Sequence, residues 1–120
     1  MSEPAPASPP RLVIVLNAAS PATLAVALRY AVTAAAMDVA VELHAVGSAV
    51  AMLRHDALDG ALLAELRQAT ALGALLYACP AALADHGLAA GQLIADVAGV
   101  RGAASLLAAG FAPGARFMVF

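Results

Sequence analysis

The residue of this chain with the clearest potential for chemistry is its only cysteine, Cys79, in the segment LLYACPAAL (75–83). Pro80 suits the first position of a helix, because its missing N–H would have no partner there. Cys79 is therefore predicted at the end of a strand or at a helix N-cap, where the helix dipole favours a thiolate. The alternative for a lone cysteine is packing as a small buried hydrophobe.

Four further polar residues follow predicted strands and are candidates for ligand binding, namely Asn17, Ser20, Ser48 and Arg101. The alternative for the two serines is helix N-capping, because a serine hydroxyl accepts a backbone hydrogen bond at that position. Asn17 also suits a turn. An arginine such as Arg101 can hold an anion through its paired N–H donors, and the alternative is a solvated loop position.

No metal site and no cofactor are predicted. His55, Asp56 and Asp59 have side chains that bind metals, but their spacing matches no recognised ligand set. His86 is predicted to end a short helix and to interact with its unpaired carbonyls. His44 is predicted to lie in a strand, at a sheet edge or a subunit contact.

Strand-like and helix-like apolar patterns alternate along the chain. RLVIVLN (11–17) is typical of a strand buried on both faces, whereas VAVELHAV (39–46) places Glu42 and His44 together on a less apolar face. Further strands are predicted at 74–78, 97–100 and 115–120, and helices over 20–37, 48–55, 59–73, 80–85 and 102–110. The alternation predicts an α/β three-layer sandwich around a mostly parallel five-stranded sheet.

In such a sheet, ligands bind at the carboxyl ends of the strands, where the loops to the following helices converge. The four junctions at 17–20, 46–48, 78–80 and 99–102 are therefore expected to meet. Helices that begin there direct unpaired N–H groups into the same crevice, which favours a bound anion or a thiolate.

The composition argues against several classes of protein. Hydrophobic residues make up 63% of the chain, but charged or turn residues interrupt every apolar stretch before the roughly 20 residues needed to span a bilayer. A net charge of -2 without a basic cluster argues against nucleic acid as a partner. One cysteine excludes an intrachain disulfide, and a reducing cytoplasm is the expected location.

The two ends of the chain differ in character. MSEPAPASPP (1–10) lacks the basic start and apolar centre of a secretory signal, and its composition predicts a disordered tail before a single domain over 11–120. The last segment, RFMVF, is strongly apolar and would fray at a free end. This surplus of apolar surface predicts a homo-oligomer.

The segments RLVIVLNAASP, ALRYAVTAAAMDVAVELHAVGSAVAML and LLYACPAALADHGL resemble the DsrE-like family of small sulfur-relay proteins, over essentially residues 11–120. YACPAAL is the most specific part of the resemblance. The resemblance implies a flavodoxin-like three-layer sandwich that assembles into trimers or hexamers. It also implies that Cys79 carries sulfur as a persulfide between a donor protein and an acceptor protein.

Three functions follow from these observations. The leading hypothesis is a sulfur carrier, or sulfurtransferase-type relay protein, that uses Cys79. The alternative is a non-catalytic oligomeric module that binds a small anion or nucleotide-like ligand and in which the cysteine is structural. A one-cysteine peroxidase is a third hypothesis, although nothing in the sequence resembles a dedicated peroxide pocket.

Overall fold

Strands and helices alternate along the chain in the predicted order. The computed structural model describes residues 8–120. The strands are β1 (Arg11–Leu16), β2 (Ala40–Ala45), β3 (Leu75–Ala78), β4 (Val97–Val100) and β5 (Ala115–Val119). The α-helices are α1 (Pro21–Ala36), α2 (Gly60–Ala71), α3 (Pro80–Asp85) and α4 (Ala103–Phe111), and short 3₁₀ helices cover Gly47–Leu53 and Ala90–Gln92.

The five strands form one sheet in the order β4-β3-β2-β1-β5, and every paired strand is parallel. From β1 to β4 the chain steps outward in one direction, so right-handed crossovers place α1 and α2 on the same face. The chain then returns to the other side of β1 to form β5, which places α4 on the opposite face. The predicted α/β sandwich is confirmed, with a fully parallel sheet.

Most of the core lies between the sheet and the helices α1 and α2. Ile14, Leu43 and Leu76 project from the three central strands and are fully buried there. They meet Leu28 of α1 and Leu66 of α2 in one continuous cluster. Burial of a large aliphatic side chain contributes about 1.5–3 kcal/mol, so this face supplies most of the hydrophobic stabilisation.

Among residues 8–120, the opposite face carries α4 as its one helix, which packs on β1 and β5. Gly110 allows this approach, because a Cβ there would lie 1.8 Å from the nearest ring atom of Phe117. The ring of Phe111 then meets that of Phe117 edge-on, with centroids 6.1 Å apart. The helix leaves part of β2 and β3 without a covering helix on this face.

His44 and the start of the chain lie in surroundings that differ from those expected from the sequence. The sheet edge predicted for His44 is wrong, because β2 is the central strand and His44 is only 3% exposed. The disordered tail predicted for 1–10 lies largely outside the described residues, and Pro10 already accepts a hydrogen bond from the Ala40 N–H. No helix within residues 8–120 combines the length and apolar character that crossing a bilayer requires.

Candidate functional site

The predicted loop junctions lie side by side at the carboxyl edge of the sheet. The residue that follows each of β2, β3 and β4 donates its backbone N–H to the carbonyl of the last residue of the preceding strand. These bonds join Val46 to Leu16 (2.8 Å), Cys79 to Ala45 (3.0 Å) and Arg101 to Ala78 (3.0 Å). The prediction that the junctions converge is therefore confirmed.

Cys79 is the N-cap of α3, and Pro80 occupies the first turn of that helix, as predicted. Its backbone is extended and its carbonyl accepts the first helical hydrogen bond, from the Leu83 N–H. The side chain is partly exposed, and it also packs against the main hydrophobic core. The thiol is therefore neither sealed in the core nor fully solvated.

Ser20 and Ser48 both use their hydroxyls to bind backbone, but in different ways. Ser20 Oγ accepts a hydrogen bond from the Thr23 N–H at 3.2 Å, so the predicted N-cap of α1 is confirmed. The N-cap predicted for Ser48 is wrong, because the 3₁₀ helix begins one residue earlier. Ser48 Oγ instead accepts a hydrogen bond from the Ala19 N–H at 3.1 Å, which ties the two loops together.

Asn17 belongs to the same loop cluster as these serines. Its side-chain oxygen lies so close to Gly47 that a Cβ there would be 3.0 Å away. Gly47 also has a φ of +52°, which residues with a side chain rarely adopt. Asn17, Ser20 and Ser48 are thus brought together at the ends of β1 and β2, whereas Cys79 and Arg101 follow β3 and β4.

Arg101 connects the carboxyl edge to the face of the sheet that carries α4. Its backbone N–H bonds the carbonyl of Ala78, and the next residue, Gly102, lies near Pro80. Its guanidinium, however, lies over the ring of Tyr77, with Cζ 4.9 Å from the centroid. Arg101 thus lies in an exposed loop, as the alternative interpretation predicted, but its guanidinium is held against Tyr77.

A cleft of about 310 Å³ opens between α4 and the sheet, and Arg101 is one of its walls. The other polar walls are Arg11, Glu42, His44 and Ser105. Arg11 Nη1 lies 3.7 Å from Glu42 Oε2. His44 Nε2 lies 3.5 Å from Glu42 Oε1, yet it is buried and has no hydrogen-bond partner among the described residues. We call this the α4 cleft.

Burial lowers the pKa of His44 below its ordinary value of 6.5. The carboxylate of Glu42 opposes this shift, and the positive charge of Arg101 adds to it. The ring also contacts Tyr77, with centroids 5.1 Å apart. At neutral pH the imidazole is therefore uncharged, and the two arginines and Glu42 leave the cleft with a net positive charge.

Sequence reasoning identified Arg101 but not the rest of the α4 cleft. The pattern did place Glu42 and His44 on one strand face. In a parallel sheet both faces of a central strand are usually covered, so two ionisable residues on such a face are unusual. The sequence signal for the α4 cleft was therefore the Glu-x-His pattern within a strand that occupies the centre of the sheet.

The residues considered for metal binding are used separately. Asp59 caps α2 by accepting a hydrogen bond from the Leu62 N–H at 2.8 Å. His55 Nε2 lies 3.3 Å from the carbonyl of Gly91, at a second surface cavity. Asp56 lies 3.8 Å from Arg54. These three side chains therefore do not converge on a common point.

Comparisons with known proteins identify the fold. No family model matches the chain, and no curated protein matches it. A solved structure of a protein of unknown function, MTH1491 from Methanobacterium thermoautotrophicum, is 20% identical with a TM-score of 0.74, over 92% of this chain and 99% of its own. The ychN protein from E. coli is 16% identical with a TM-score of 0.78, over 94% and 100%. This chain therefore shares its α/β fold with both proteins.

Proposed function

We propose that the chain is a DsrE-like sulfur carrier in which Cys79 accepts and passes on sulfane sulfur. The observation that carries the proposal is the position of a free, partly exposed cysteine at a strand-to-helix junction on the carboxyl edge of the sheet. Parallel α/β sheets bind their ligands at this edge. The resemblance around YACPAAL supports the same assignment, and the α/β fold shared with the two solved structures is compatible with it.

The proposed reaction is a thiol exchange without net oxidation. The Cys79 thiolate attacks the terminal sulfur of a donor persulfide, R–S–SH, so that a new S–S bond forms on Cys79 as the donor's S–S bond breaks. The donor leaves as the thiolate R–S⁻. The proton on the transferred sulfur stays with it and exchanges with solvent. An acceptor thiolate then attacks the terminal sulfur of the Cys79 persulfide and releases the Cys79 thiolate.

A single cysteine determines where the acceptor must be. With no second thiol in the chain, the sulfur cannot be resolved internally as a disulfide. The acceptor is therefore a thiol outside this chain, and the proposal assigns the donor and the acceptor roles to partner proteins. The proposed trimer or hexamer would cover exposed apolar side chains such as Phe111 and Val119, which are 75% and 68% exposed.

Mass spectrometry after incubation with a small persulfide donor tests the proposal. The expected product is a protein heavier by one sulfur atom, about 32 Da, that returns to its original mass with dithiothreitol. Cys79→Ser should gain no such mass, and Ser48→Ala, which alters a neighbouring loop but keeps the thiol, should gain it. Absence of a reducible adduct on the folded wild-type protein contradicts the proposal.

The second candidate is a non-catalytic oligomeric module that binds a small anion or nucleotide-like ligand. It is favoured by the contact of the Cys79 side chain with the main core, which suits a packing role. The rate of Cys79 alkylation as a function of pH separates the candidates. A carrier should react measurably below the pH at which a free thiol ionises, whereas a packing cysteine should react slowly throughout.

A further inference from the structure

We propose that the α4 cleft binds a small organic anion, whose charged group lies between Arg11 and Arg101 and accepts a hydrogen bond from His44. The site lies on a face of the sheet rather than at its carboxyl edge, and it needs neither sulfur nor Cys79. It thus goes beyond the proposed function. Its binding group would be a carboxylate or a phosphate, the two groups that arginine recognises through paired N–H donors.

His44 Nε2 is the first observation that indicates a ligand. The side chain is 3% exposed, and within residues 8–120 its buried Nε2 has only a contact at the limit of hydrogen bonding, 3.5 Å from Glu42 Oε1. Buried polar atoms in folded proteins nearly always have a partner. Because His44 lines the α4 cleft, an occupant of that cleft is in a position to provide it.

Charge is the second observation, and it distinguishes an anion from water. Water could bond Nε2, but two partly solvated guanidiniums beside one carboxylate make an anion the more favourable occupant. Arg11 already forms an ion pair with Glu42, with Nη1 3.7 Å from Oε2. Arg101, in contrast, forms no ion pair with any residue from 8 to 120. Its flat face covers Tyr77, which leaves its edge N–H groups available for an oxyanion.

The size and lining of the cleft indicate an organic ligand rather than a bare oxyanion. A volume of about 310 Å³ is at the lower end of the usual range for small-molecule sites. Ala108 and Ala109 of α4 give the cleft an apolar wall on the side away from the charged groups of the sheet. An anion with a short carbon skeleton would fill both parts.

Proton uptake should accompany binding. Burial lowers the pKa of His44 and so favours the neutral imidazole, whereas a bound anion would favour the imidazolium form. By linkage, a saturating concentration of anion should raise the pKa of His44. Each pKa unit of that increase means that the anion binds the imidazolium form tenfold more tightly than the neutral form, a difference of about 1.4 kcal/mol. The groups that face or line this site are Arg11 on β1, Glu42 on β2, Tyr77 on β3, Arg101 after β4 and Ser105 on α4.

NMR titration of the imidazole signals tests the proposal, because the chain contains three histidines and only one lines the cleft. Citrate, glycerol 3-phosphate and inorganic sulfate are the probes. We expect citrate or glycerol 3-phosphate to shift the His44 signals saturably while those of His55 and His86 stay in place, and sulfate to bind more weakly. Whichever organic probe binds more tightly distinguishes a carboxylate ligand from a phosphate ligand.

Charge-matched variants complete the test. Arg101→Gln and Arg11→Gln should each weaken binding at least about tenfold, because each removes a charge-assisted contact. Arg29→Gln on α1 removes the same charge away from the cleft and should bind normally, as should Cys79→Ser. Two independent arginine variants keep the test valid if one of them fails to fold, which circular dichroism would show.

Three results would overturn the proposal. One is a His44 signal that does not saturate with either organic probe up to about 10 mM. Another is an equal shift of all three histidines, which would reflect ionic strength alone. The third is a His44 signal that changes with protein concentration in the absence of added anion, because a second copy of the chain would then be the partner of this face.

Discussion

On one face of the sheet aliphatic side chains pack against α1 and α2, whereas on the other face ionisable side chains line an open cleft beside α4. Leu43 and His44 show the contrast within two consecutive residues of the central strand. Leu43 is fully buried in the main core, and His44 is almost as buried but faces Glu42, Arg101 and a cavity.

The difference follows from the strand order rather than from local sequence. Three crossovers run in one direction and the last returns, so in the described part of the chain one face receives several helices and the other receives α4. Since α4 packs on β1 and β5, the opposite face of β2 stays open to small molecules. The well-covered face stabilises the protein, and the sparsely covered face has room for a site.

Leu43→Ala should produce the largest change in stability. It removes a large side chain from the centre of the well-covered face and leaves a cavity, with an expected loss of about 2–5 kcal/mol. Urea denaturation followed by circular dichroism measures the effect. A loss below about 1 kcal/mol would mean that this face relaxes to fill the space, and the contrast between the faces would then be much weaker than proposed.

Gly110→Ala tests how closely α4 is held to the sheet. The new methyl group would overlap the Phe117 ring, where the nearest atoms lie at 1.8, 2.1 and 2.4 Å from a Cβ. We expect a loss of about 1–3 kcal/mol, typical of overpacking, and a change in the shape of the α4 cleft. Thermal and urea denaturation report the first effect, and anion titration reports the second.

Gly60→Ala is the matched control, because it adds the same methyl group to a helix on the other face. A Cβ at Gly60 meets no atom within 4 Å, so the substitution should be neutral or stabilising by up to about 1 kcal/mol. Equal effects of the two substitutions would show that α4 is loosely packed and that the Phe117 ring simply moves aside.

Much of the fold was predictable from the sequence because its signals are local. The Cys79–Pro80 pair, the Ser20 cap and the alternation of Glu42 with apolar neighbours each depend on a few adjacent residues. The site on the α4 face was not predictable, because it depends on which strand becomes central. The hydrogen bond that Ser48 Oγ accepts was not predictable either, because its donor, the Ala19 N–H, lies 29 positions away in the sequence.

His44→Leu sharpens the comparison through pH, with the smallest expected effect. Because the pKa of His44 is lowered in the folded state, the unfolded chain binds the proton more tightly. The free energy of unfolding should therefore fall as pH drops below about 6.5, until the folded protein also takes up the proton.

His44→Leu removes this contribution and also the buried atom without a partner, so it should lose less stability than the wild type between about pH 8 and pH 5.5. Urea midpoints at those two pH values measure the difference. Parallel losses in the two proteins would show that His44 is as easily protonated in the folded state as in the unfolded chain, which would remove the physical distinction between the two faces of β2.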